Sequence, residues 1–265
     1  MKKFLTSIVA VLLSIASLFA FTACKVVEDE KAILEAGKIV IGITDYEPMD
    51  YKLPGSDKWI GFDAELAEMF ADELGVECEF YEIVDWNNKV LEINSGAIDL
   101  IWNGMTASKK LGRKIDFSVS YAKNAQVAVV KKNSTISTKK QIKNAQVIVE
   151  PGSAGEAVAT EEGMKNVTAL GNQKQALMEV LAGTSEVAII DITMAQSVVG
   201  VGDFADLKIV EGASYGDEIF AVGLRKGSDL KEKLDAFLKA KYADGTMAEL
   251  AAKYNVGLNT EALSA

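Results

Sequence analysis

A chain of 265 residues that is 49% hydrophobic and 25% charged has the make-up of an ordinary globular protein, one large domain or two modest ones, with apolar material for a sizeable core. Its formal net charge of −10 argues against a nucleic-acid partner and against holding an anionic membrane by surface charge. No histidine is present and only two cysteines, Cys24 and Cys78, so Ser-His-Asp triads, Cys-His dyads and ordinary zinc sites are excluded.

Lys2 and Lys3 precede residues 4–23, which carry no charge, and Cys24 follows at once. A basic start, an apolar middle and small residues before a cut describe an export signal. Phe21-Thr22-Ala23-Cys24 resembles a bacterial lipobox, with Phe21 where leucine is usual. That resemblance implies a signal peptide over 1–23 and a lipidated Cys24 as the mature first residue. An uncleaved membrane anchor is the alternative, since twenty uncharged residues can span a bilayer. Acylation contributes about 0.8 kcal/mol per buried CH₂, so a multiply acylated (palmitate-type) cysteine would hold the protein to the extracytoplasmic face of the cell membrane. Residues 24–37 then form a charged tether with one or two helical turns.

Residues 39–43 are a compact β-branched run, expected as a strand. In the stretch that follows, Phe62, Leu66, Met69, Phe70 and Leu74 make one stripe of a helix. Asp63 and Glu65 sit in its first turn, where the dipole favours them, and Gly75 stops it. Residues 76–84 alternate as a strand and hold Cys78, read as an inert packed thiol. Asp85 can cap a helix over 86–93, and 98–101 is a third strand, so a parallel sheet with right-handed crossovers is expected. That strand breaks into a loop at its carboxyl end, where open α/β sheets place ligands. Trp102 offers a flat face, Asn103 donors and acceptors, Gly104 a bare backbone and Thr106 a hydroxyl, a set suited to a small polar molecule.

An apolar strand over 125–130 carries the chain away, and the same grammar begins again. Strands are expected at 146–149, 167–170 and 187–190, with helices at 155–159, around Ala176–Leu181, and from 192 to 199. Residues 219–224 can return the chain to the first unit, and two helices broken at Asp244-Gly245-Thr246 end it. No solenoid repeat or low-complexity tract appears.

Six stretches in this order, GFDAELAEMFADEL, IDLIWNGMTAS, DFSVSY, EPGSAGE, AIID and KYADGT, resemble the extracytoplasmic solute-binding proteins of ABC importers, in the polar amino acid-binding group (family 3 type). The resemblance implies an α/β, two-lobed periplasmic-binding-protein-like fold (type II), with two Rossmann-like lobes joined by two crossover strands. Lobe 1 would comprise 38–126 and 222–265, and lobe 2 127–221, closing on a ligand that binds the closed state better. It also implies roles. Asp191, at the exit of a strand, would pair an α-ammonium, and its bland reading is an N-cap. Ser153 and Ala154, opening a helix, would hold an α-carboxylate with N–H groups, and their bland reading is a turn. Tyr46 and Trp102 would be aromatic walls, and Thr106 would reach the carboxylate.

Two departures stand out. The arginine expected five residues before Asp116 is Leu111, with Lys109, Lys110 and Arg113 nearby, and Arg113 could serve only if the loop were re-registered. Met49 stands where phenylalanine is usual. The expected function is a lipid-anchored, monomeric binding protein that hands an amino acid or similar zwitterion to the transmembrane subunits of a permease, with no cofactor, no metal and no reaction catalysed. Two other classes compete. An exported enzyme of cyclohexadienyl dehydratase type needs a general acid facing the cleft, for which Glu47 and Glu150 are the nearest candidates. A receptor's sensing lobe needs a membrane segment after Val130, and no apolar run of that length is found there.

Overall fold

The computed structural model describes residues 26–265, so the expected signal peptide and the lipidation site at Cys24 lie outside the described residues. The first helix, α1 (Asp29–Ala36), falls within the stretch read as a tether but is docked on the body. Ile33 is buried, and the buried Asp29 carboxylate pairs with Arg225 at 2.8 Å. The same guanidinium reaches Asp99 at 2.9 Å and donates to the carbonyls of Ile93 and Ile98. Such charge-assisted, multiply bonded contacts fix geometry more firmly than a lysine could.

Strand β1 (Lys38–Ile43) begins the first sheet, and β2 (Tyr51–Lys52) and β3 (Trp59–Ile60) pair with each other as a small antiparallel hairpin. Helix α2 (Phe62–Leu74) has the predicted bounds, with Phe62, Leu66, Phe70 and Leu74 buried. Strand β4 (Glu77–Glu82) runs parallel to β1. Burial pushes the Cys78 thiol up to about 12, which leaves it inert at neutral pH. Asp85 accepts from the Asn87 amide and caps a tight turn over Trp86–Asn88 that continues into α3 (Lys89–Ser95). Strands β5 (Leu100–Ile101) and β6 (Asp116–Phe117) follow.

The chain then leaves through β7 (Ala122–Lys131) and builds α4 (Lys139–Ile142), β8 (Gln146–Val149), α5 (Ala154–Glu161), β9 (Asn166–Ala169), α6 (Gln173–Ala182), β10 (Val187–Asp191) and α7 (Ile192–Val198). It returns through β11 (Leu207–Phe220) to β12 (Gly223–Leu224), and α8 (Leu230–Ala243), α9 (Thr246–Tyr254) and α10 (Thr260–Ser264) complete it. Leu230, Leu234, Phe237 and Leu238 bury one face of α8, each contributing about 1.5–3 kcal/mol.

Two five-stranded sheets result, in the orders β4-β1-β5-β12-β6 and β11-β7-β10-β8-β9, as the two-lobed α/β architecture requires. Both are mixed. The returning strand β12 is antiparallel to β5 and β6, and β7 is antiparallel to β10 and β11. The two crossing strands are thus one ribbon, paired from Ala122↔Phe220 at its first-lobe end to Lys131↔Leu207 in the second sheet.

Candidate functional site

A cleft of about 580 Å³ separates the two sheets, a size typical of small-molecule sites. Tyr46, Trp86, Lys89, Asn103, Gly104, Thr106 and Leu111 line it from the first lobe. Glu150, Gly152, Ser153, Ala154, Gln173 and Asp191 line it from the second, and Glu218 of the ribbon closes one side. The lobes touch across it. Lys89 Nζ donates to the Gly152 carbonyl at 2.9 Å, and Lys174 pairs with Asp45 at 2.9 Å.

Asp191 ends β10 and is 5% exposed. Although it stands at the N-cap position of α7, its carboxylate makes no capping bond. Three amide donors from two elements take it instead: Asn124 and Gln126 of β7 on Oδ1, and Gln173 of α6 on Oδ2. Gln173 also accepts from the Asp191 N–H at 2.8 Å, and the Asn172/Gln175 capping box fixes the turn of α6 that carries it. Burial, then the charge of Glu218, raises the Asp191 carboxyl to about 6. Glu218 shares the same donors, accepting from Asn124 at 2.9 Å, Gln126 at 3.0 Å and the Thr106 hydroxyl at 3.0 Å. Thr106 therefore donates to Glu218.

On the same lobe the Ser153 hydroxyl donates to the Glu150 carbonyl at 2.7 Å and accepts from the Glu156 amide at 3.2 Å. Its side chain is a helix cap. The Ala154 N–H, by contrast, has no hydrogen-bond partner among the described residues, so the open donor here is backbone. Gly152 has φ +71, and a Cβ there would stand 2.5 Å from Asn87 Oδ1 of the other lobe. Only glycine lets the two walls approach so closely. Glu150 is buried, and burial, then the charge of Asp191, pushes its carboxyl up to about 8.

Trp102 needs correction as a cleft wall. It is fully buried, in edge contact with Phe70 of α2 and Phe237 of α8, and does not line the cleft. The second aromatic on the cleft lining, with Tyr46, is Trp86, which the sequence marks only as part of a helix. Asn103 lines the cleft, but its amide is engaged with Thr44, donating to the hydroxyl and accepting from the N–H, both at 2.7 Å. Gly104 has φ +52 and its N–H donates to Asp63 Oδ2 at 2.6 Å, so Asp63 holds the loop and is not simply a dipole partner of α2. The Tyr46 hydroxyl makes no well-formed hydrogen bond, yet burial and the nearby Asp191 hold it well above its usual value.

Leu111 does line the cleft and brings no charge. Arg113 is exposed and does not line it, while Lys110 and Lys114 reach only its exposed rim. Met49 is fully buried behind Gly104, away from the cleft. The buried cation is Lys89, 7% exposed, on the same stripe of its helix as Trp86 and Ile93. A lysine on an otherwise buried helical stripe was the available signal for it. No such signal marks Asn124, Gln126 or Glu218, whose gathering around Asp191 depends on the pairing of β7 with β10 and β11, or Gln173, which the packing of α6 brings to it.

The bacterial extracellular solute-binding proteins, family 3, match this chain over residues 39–257. The arginine-binding extracellular protein ArtP of Bacillus subtilis is 29% identical over 264 residues, spanning 97% of this chain and 99% of its own length. An amino acid ABC transporter substrate-binding protein from Streptococcus pneumoniae, solved bound to L-arginine, superposes with a TM-score of 0.79 at 26% identity, covering 88% of this chain and all of that one. An ancestral amino acid-binding protein described as a precursor of cyclohexadienyl dehydratase superposes at 0.78 with 26% identity, covering 86% and 99%.

Proposed function

Because the chain belongs to the bacterial extracellular solute-binding proteins of family 3, we propose that it captures an amino acid between its lobes and delivers it to the permease of an ABC importer. The observation that carries this reading is Asp191, a buried carboxylate on the cleft wall, held by three side-chain amides and paired with no cation among the described residues. Neutral amides satisfy its lone pairs without cancelling its charge, so an entering ammonium finds an oriented, desolvated anion. Ala154, whose N–H has no partner among the described residues, lines the same space, and a free helix-start N–H suits a carboxylate. Tyr46 and Trp86 supply the flat faces between these poles. Arginine, named for both the Bacillus and the Streptococcus proteins, is the first ligand to test.

The rest of the reading follows the sequence. Residues 1–23 direct export and Cys24 carries a lipid that tethers a monomer to the outer face of the cell membrane. No helix among the described residues is long and apolar enough to cross one. Asp191→Ala lowers affinity for the cognate amino acid by about tenfold or more in titration calorimetry, as loss of a charged hydrogen bond requires. Unchanged affinity would remove Asp191 from the site.

One observation favours a second reading, a dehydratase on the same fold. Glu150 faces the cleft as a carboxyl that burial keeps largely protonated at neutral pH, the state a general acid needs. Incubation with prephenate or arogenate separates the two: the binding reading expects no ring-aromatised product.

A further inference from the structure

We propose that Lys89 takes the carboxylate end of the ligand, an assignment that rests on the amino-acid reading and concerns the anion-binding pole of the same cleft. Lys89 opens α3 and lines the cleft, its ammonium donating to the carbonyls of Trp86 at 3.0 Å and Gly152 at 2.9 Å. An ammonium has three N–H donors, and these contacts use two. No carboxylate stands within 4.0 Å of it among the described residues. A buried cation held by two carbonyls and the face of the Trp86 ring, 4.7 Å from its centre, still has no opposite charge beside it, and the missing partner is an anion.

Its nearest acid by influence is Glu150, which burial leaves mostly neutral near pH 7 and so poorly able to supply that charge. The carbonyl that Lys89 holds belongs to Gly152, two residues before the unpaired Ala154 N–H. Ammonium and amide, one from each lobe, therefore converge on one end of the cleft. Asp191, equally buried, lies on the same cleft's wall. Lys110 and Lys114 cannot play this part well, since they are exposed at the rim, where solvent screens a charge. The alternative for Lys89 is a latch that merely ties the lobes together through Gly152.

The two roles separate when the ligand's own charge is varied. Calorimetry compares L-arginine with L-argininamide, and L-histidine with L-histidinamide, on the wild type and on Lys89→Met, with Lys89→Gln in its place if that variant fails to fold. Expected is a wild-type preference for the acid that shrinks about ten- to hundredfold in Lys89→Met, because the acid loses affinity and the amide does not. Lys89→Arg, which keeps the charge, retains the preference. If acid and amide weaken equally, Lys89 is a latch and the assignment falls; an unchanged preference also overturns it. If the wild type binds neither these nor any other amino acid, the amino-acid reading fails first and takes this one with it.

Discussion

Trp102 and Asp191 each stand at the carboxyl end of a buried strand, yet only Asp191 faces the cleft. The difference lies in what packs behind each strand. Helices α2 and α8 bring Phe70 and Phe237 over the end of β5, and the indole fills the space between them. Over the end of β10 amide side chains from β7 and α6 converge on the carboxylate instead. A fully buried tryptophan in such a position is a stability residue. Trp102→Ala costs about 3–5 kcal/mol of folding free energy, seen as a lower denaturation midpoint. Below that midpoint its affinity for the amino acid stays near the wild-type value. A variant of normal stability that no longer binds would return Trp102 to the cleft.

Elements whose signal is local were legible in the chain. Helix α2 carries its own stripe and its own stop at Gly75, and β1, β8 and β10 are short β-branched runs between turns, so their bounds shift by only a residue or two. The longest strand among the described residues, β11, is marked in the sequence only at its apolar end. It carries Gly212 and Gly216, alternates poorly, and pairs with β7 through two register shifts, so its geometry comes from its partner. The site divides the same way. Asp191 and the 152–154 turn announce themselves at the end of one strand and the start of one helix. The carboxamides of Asn124 and Gln126, and the carboxylate of Glu218, are polar residues in β7 and β11 whose meaning appears only once the ribbon exists. α1 illustrates the converse error: a charged stretch reads as a spacer, while one arginine far along the chain, Arg225, docks it.

At the scale of the molecule, the ribbon that joins the lobes also holds the cleft carboxylate Asp191. Asn124, Gln126 and Glu218 belong to the crossing strands, so the protonation of Asp191 and the seating of one lobe on the other share a set of hydrogen bonds. Between its ordinary 3.8 and about 6, Asp191 binds more proton in the folded chain than in the unfolded one, so its contribution to the stability of the free protein declines as pH rises through that window. Ligand affinity runs the other way. An ammonium favours the ionised carboxylate, so binding below about pH 6 must expel a proton, and affinity climbs as pH rises toward that value and then levels. Glu218 is the second cause of the raised value, after burial. Glu218→Gln removes that charge, lets Asp191 ionise earlier and moves the climb to lower pH. Calorimetry with L-arginine between about pH 5 and pH 7 reads both curves, the ligand keeping its own charge throughout. A single curve shared by wild type and Glu218→Gln, or an affinity that declines over this range, would mean that the ligand's positive end is not seated on Asp191 and that the ribbon serves only as a hinge.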